Sequence, residues 1–237
     1  MLAFLLMPRT ILALAAVIPA LFLLVKVYRS DRIEKEDPVF ILLLVIMGIV
    51  STAAASILER IGSGILALFL SRETVLYNVL LYYVVVAASE EGSKYCLLRY
   101  RTYGSREFNC RYDAVVYAVA VSLGFALWEN IFYVFRFGLG AALSRAVTAI
   151  PGHCSFGVFM GVWYGREKKC DLYGEKAGMY ISRVLSLAVP ILLHGTYDYL
   201  CSLNTQGGSL YFLIFIVLMF ALSFFTVRKS SRNDMYL

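Results

Sequence analysis

The feature that most constrains this chain is a series of apolar runs, most near or above 18 residues, separated by short charged stretches. Runs of that length suit a helix crossing a hydrocarbon core of roughly 30 Å. Backbone amides find no water in lipid, so each run must satisfy its own hydrogen bonds, as a helix does. Helices are expected at about 10–27, 38–58, 74–98, 113–136, 142–164, 180–201 and 209–227. The expected fold is therefore all-α, a polytopic transmembrane helical bundle of about seven spans. It forms one integral membrane domain over residues 1–237, with a motif-bearing core at about 74–201. ILALFL, 65–70, is too short to span and is expected to be an interfacial or re-entrant piece.

Composition agrees. With 60% hydrophobic and 16% charged residues, the chain is too apolar for an ordinary soluble domain. Its net charge of +6 does not point to nucleic acid, because the basic residues are spread over the connections rather than along one stripe. Counted over alternate connections, 17 of the 22 Lys and Arg fall on one side and 5 on the other. The positive-inside rule then predicts an outside N-terminus and a cytoplasmic C-terminus. Four basic residues, Lys26, Arg29, Arg32 and Lys35, follow the first apolar run, against Arg9 alone before it. That is the reverse of a cleaved leader, so the first run is expected to be retained. Five cysteines offer no disulfide framework.

Against this background a few polar residues are out of place. VVVAASEEGSKYCLL, 84–98, puts Glu90, Glu91 and Lys94 inside a span. A mid-bilayer charge costs roughly 2.5–3.5 kcal/mol on insertion scales, so the pair should face protein or a polar cavity. Lys94 follows Glu90 by one helical turn and is expected to offset its charge. Neighbouring side chains diverge by about 100°, so Glu90 and Glu91 should do different jobs. GFALWENIF carries Glu129 and Asn130, PGHCSFG carries His153, and LLHGTYDYL carries His194 and Asp198. Both histidines of the chain thus lie inside spans. By these boundaries Glu129 and Asp198 fall roughly 6–12 Å along the membrane normal from the other polar residues, at 1.5 Å per residue. Asp198 is expected to orient His194 from behind. Gly157, Gly161 and Gly165 form a small-residue stripe that should hold His153 close to a neighbouring helix.

The residues allow three chemistries. A carboxylate with two imidazoles can activate water and stabilise an oxyanion. His153, His194 and Glu90 can alternatively bind a divalent metal. The same groups on adjacent helices can relay protons in a transporter. A partner that binds another membrane protein without cutting it is a further alternative.

Taken in order, SEEGSK (89–94), GFALWEN (124–130), PGHCSFG (151–157) and HGTYD (194–198) resemble the PrsW family of glutamic-type intramembrane proteases. That family in turn looks like a distant relative of the CAAX-prenyl endopeptidases and the bacterial immunity-type membrane proteases. The resemblance implies a multi-pass enzyme of the bacterial cell membrane that works without a cofactor, with a divalent metal as the open alternative. Its implied partner is a single-pass transmembrane protein, an anti-sigma factor cut during an envelope-stress response. It implies Glu90, Glu91, His153 and His194 as catalytic residues, supported by Lys94, Glu129, Asn130 and Asp198. Glu90 is the leading general base, with Glu91 its alternative or partner.

Overall fold

The computed structural model describes residues 2–203 and 205–237, with side chains from Arg9 onward. Among the described residues the only regular elements are helices joined by turns and loops, with one isolated bridge between Cys110 and Tyr236. The helices are α1 (Leu2–Arg29), α2 (Pro38–Phe69), α3 (Val75–Leu80), a π-helical segment (Leu81–Ala87), α4 (Ala88–Thr102), α5 (Asp113–Phe137), α6 (Leu139–Val147), α7 (Ala149–Leu172), α8 (Lys176–Ser202) and α9 (Gln206–Arg232). Six stretches among them are long and apolar enough to cross a membrane, α6 and α7 counting as one. The unbroken helical run from Val75 to Thr102 is long enough as well, but it carries the Glu90–Glu91–Lys94 charges within it. The fold is thus a polytopic helical membrane bundle.

α5 is the axis of the bundle. Every residue from Asp113 to Ala126 is buried, whereas α1, α2 and α9 turn Phe22, Leu68, Leu213 and Phe225 outward, as lipid-facing helices do. α5 packs chiefly on α2 and α7, and α7 in turn on α8. Glycines allow those crossings to be close. A Cβ on Gly124 would lie 2.1 Å from the Val45 carbonyl oxygen, and one on Gly48 2.0 Å from that of Val121. On α7, Gly157 packs on Ala118 and Ser122, Gly161 on Val115, and Gly165 on Arg111. The stripe read from the sequence is the α5–α7 contact.

Two expected boundaries differ. α2 runs unbroken for 32 residues to Phe69, so 65–69 is the end of a long helix and not a re-entrant piece. At 1.5 Å per residue it is about 48 Å long, more than one hydrocarbon thickness. The expected helix over 142–164 is divided at Thr148, whose φ of −120° and ψ of −72° leave the helical region. Pro151 accounts for the division. It has no amide to continue the helix but fits the first turn of a new one, three residues after Thr148. His153 therefore sits near the start of α7, at a break inside the span.

Candidate active site

The π-helical segment precedes the acidic pair directly. Its wider turn re-aims the helix that follows, and such segments recur at functional sites. It is held against α8 by the hydrogen bond between Tyr83 and Thr196 (2.9 Å) and by Gly195, where a Cβ would lie 2.5 Å from the Tyr83 ring. His194 is therefore brought against α4.

The side chains converge on Lys94, which is fully buried. Its ammonium lies 2.7 Å from Glu91 Oε1, 3.2 Å from Glu90 Oε2 and 3.2 Å from His153 Nδ1, with the Phe125 ring 4.0 Å away. The shorter of its two ion pairs is with Glu91, although sequence spacing favoured Glu90. An ammonium only donates, so it fixes His153 Nδ1 as the acceptor and leaves the ring proton on Nε2. His153 Nε2–H then donates to Glu129 Oε2 at 3.0 Å.

His194 has the opposite polarity. Its Nδ1 lies 2.9 Å from Glu91 Oε1, and a carboxylate accepts, so Nδ1 carries the proton. Nε2 faces Glu90 Oε2 at 3.8 Å and Asp198 Oδ2 at 3.4 Å. Glu91 therefore holds His194 at Nδ1, while Asp198, expected to orient the ring, stands by Nε2. The Phe156 ring stacks on the imidazole at 4.7 Å and 18°. Glu91 has no exposed surface, and its second oxygen, Oε2, has no hydrogen-bond partner among the described residues. Glu90 instead lines a cavity of about 310 Å³ together with Glu129, His153, His194 and Asp198. The adjacent glutamates thus do occupy different positions.

The separation in depth expected for Glu129 and Asp198 is bridged by their side chains. Each comes within 3.4 Å of an imidazole, Glu129 of His153 and Asp198 of His194. Asn130 stands apart from the cavity. It donates to the Ala16 carbonyl (2.8 Å) and accepts from Arg145 Nε (3.2 Å), tying α1 to α5 and α6. The sequence reading missed two residues. Arg145, near the start of the expected helix 142–164, pairs with Glu129 at 3.2 Å, and Glu59, one residue past the expected helix 38–58, lines the cavity. No signal in the sequence ties either residue to the others.

Two groups of donors stand close enough to share a divalent ion. They are Glu90 with Glu129 and His153, and Glu90 with Glu91 and His194, each within 4.8 Å. The expected set of His153, His194 and Glu90 is thus divided between two groups that share Glu90. Imidazole nitrogen with carboxylate oxygen is a zinc-type donor set, and Glu91 behind His194 supplies the usual acceptor for the far ring nitrogen. His194 Nε2 and the carboxylates are free to hold such an ion, whereas His153 offers a nitrogen only by giving up its bond to Lys94 or to Glu129.

Residues 36–223 match the family described as PrsW family intramembrane metalloprotease. The chain belongs to the PrsW family. Curated relatives span nearly the whole chain. A "Protease PrsW" from Oceanobacillus iheyensis is 29% identical over 222 residues, covering 92% of this chain and 95% of its own length. One from Geobacillus kaustophilus is 31% identical over 209 residues, 87% of each chain. One from Bacillus subtilis is 29% identical over 225 residues, 92% of this chain and 93% of its own length. No solved structure matches. PrsW membership makes the chain a membrane-embedded peptidase of a multi-pass bacterial membrane protein family, and sets aside the transporter and passive-partner alternatives.

Proposed function

We propose that this PrsW protease cuts a single-pass membrane protein within or beside the membrane, with Glu90 as the base that activates water. The observation that carries this reading is that, of the two adjacent glutamates, Glu90 lines the cavity while Glu91 is committed to Lys94 and His194. Glu90 takes a proton from water, and the hydroxide oxygen bonds to the scissile carbonyl carbon. His153 Nε2–H, now donated to Glu129, is available to the developing oxyanion. As the C–N bond breaks, the proton held by Glu90 passes to the leaving amine. Glu91 and Lys94 fix the two imidazoles from behind, and Asp198 and Glu129 shape the field at the cavity wall. A divalent ion held by Glu90 with His194 and Glu91, or with His153 and Glu129, would polarise the carbonyl and acidify a bound water.

The resemblance supports an anti-sigma factor as substrate and an envelope-stress response as context. The asymmetry of basic residues supports an outside N-terminus. The test compares tagged single-pass membrane proteins in cells carrying the wild type or Glu90→Gln. A fragment of an anti-sigma factor present only with the wild type is expected. Identical fragment patterns in both would remove Glu90 from the chemistry, and a fragment from some other protein would replace the substrate.

A further inference from the structure

On the far side of α7 from the catalytic cavity lies a second cavity of about 250 Å³, between α1 and α9 with α7 as its floor. Its walls are apolar for most of their length: Leu23 and Val27 on α1, Val158 on α7, Phe220 and Val227 on α9. Its mouth is cationic. Lys26 and Arg228 line the same cavity and stand over one ring, Phe224, at 5.3 and 5.5 Å from its centroid. Both are exposed, and neither has an ion pair among the described residues. Lys26 occupies the last turn of α1, and Arg228 lies just before the last turn of α9, where the chain leaves its apolar run. Below them a Ser231 Oγ–H donates to the Ser30 carbonyl and joins the two helix ends.

We infer that this groove is a binding site for an anionic phospholipid, one acyl chain between α1 and α9 and its phosphate on Lys26 and Arg228. Three features select that occupant. Two unpaired cations at the end of the apolar spans sit at headgroup level, where each Lys or Arg favours an anionic lipid. The groove runs from Arg228 to Phe220, about 12 Å at 1.5 Å per residue. Finally, the deep end is formed by Pro151 and Ser155, which flank His153 in the sequence. The lipid chain thus lies against the turn that carries a catalytic imidazole. This inference does not depend on Glu90 being the base.

The test uses the full chain in phosphatidylcholine vesicles with trace spin-labelled phosphatidylglycerol or phosphatidylcholine, reading the motionally restricted fraction of each. The wild type is expected to prefer phosphatidylglycerol. Lys26→Gln with Arg228→Gln should lower that preference roughly fivefold or more, given the contribution of each basic residue near the surface. Leu23→Trp, which fills the groove without changing charge, should lower it too. Arg32→Gln with Arg106→Gln removes the same charge elsewhere and should leave it intact. Unchanged preference in both groove variants overturns the site. An equal loss in the Arg32/Arg106 control also overturns it, since general surface charge would then suffice. So does a photo-cross-linker at position 220 that captures a coexpressed substrate helix instead of lipid.

Discussion

The imidazole Nδ1 of His194 lies 2.9 Å from Glu91 Oε1, and this bond separates the roles of the two adjacent glutamates. With Glu91 bound behind the ring, Nε2 faces the cavity that Glu90 lines. Glu90→Gln is expected to lower cleavage in proteoliposomes by about 10²-fold or more, the scale of a lost general base. Glu91→Gln should cost about 10- to 100-fold, the scale of a lost orienting partner. A larger loss for Glu91→Gln than for Glu90→Gln would reverse the assignment.

Lys94 is the counter-ion of both carboxylates and has no exposed surface. Its removal leaves a buried acidic pair without a counter-ion, and breaking a buried pair costs about 3–5 kcal/mol. Lys94→Met should therefore lower the unfolding temperature in detergent markedly, and adding Glu91→Gln should recover part of the loss. A Lys94→Met protein that melts with the wild type would show that this network is not what holds α4, α7 and α8 together.

Much of this site was legible in the sequence because lipid makes charge conspicuous. Glu90, Glu91, Lys94, His153 and His194 stood out as polar residues within apolar runs, and the structure brings all five together. Arg145 and Glu59 escaped for the opposite reason: they lie toward the ends of apolar runs, where a charge is unremarkable. The division of labour between the glutamates needed the tertiary structure, since it depends on which oxygen meets Lys94 and His194. The π-helical turn at 81–87 was equally hidden, because its Leu, Tyr, Val and Ala residues would form an ordinary α-helix as readily. The break at Thr148 was partly legible through Pro151, but the apolar periodicity continues across it.

The α2–α5 crossing gives a test of packing that does not touch the site. At Gly124 a Cβ would meet the Val45 backbone, which cannot rotate away as a side chain can. Gly124→Ala should destabilise by about 1–3 kcal/mol, the cost of overpacking. Gly64 on the same α2 helix has nothing within 4 Å of its added Cβ, and Gly64→Ala should stabilise by roughly 0.5–1 kcal/mol. Thermal unfolding of both variants decides. Equal effects would mean that α2 and α5 do not cross at this distance.

Metal content can be read without any substrate. Purified without chelator, the protein should carry about one divalent ion, as expected for an imidazole–carboxylate site. Glu90 belongs to both donor groups, so Glu90→Gln should lose the ion more completely than His153→Ala or His194→Ala. Elemental analysis of the three variants would refute the shared-donor arrangement if Glu90→Gln kept full occupancy.

Outside the membrane spans, Glu36 gives the protein a dependence on pH. It is buried in the connection before α2, and burial, helped by the nearby acids Glu107 and Asp31, pushes its carboxyl up from 4.5 to about 7. A raised carboxyl binds its proton more tightly in the folded state. Its contribution is therefore complete below the unfolded value and is lost as pH rises through the folded one. The unfolding temperature in detergent should fall between about pH 5 and about pH 8, and Glu36→Gln should melt above the wild type at the upper end. Asp31 is raised by burial as well, so the substitution should reduce the slope without abolishing it. A Glu36→Gln protein whose melting temperature tracks the wild type at every pH would show that this carboxyl does not titrate with folding.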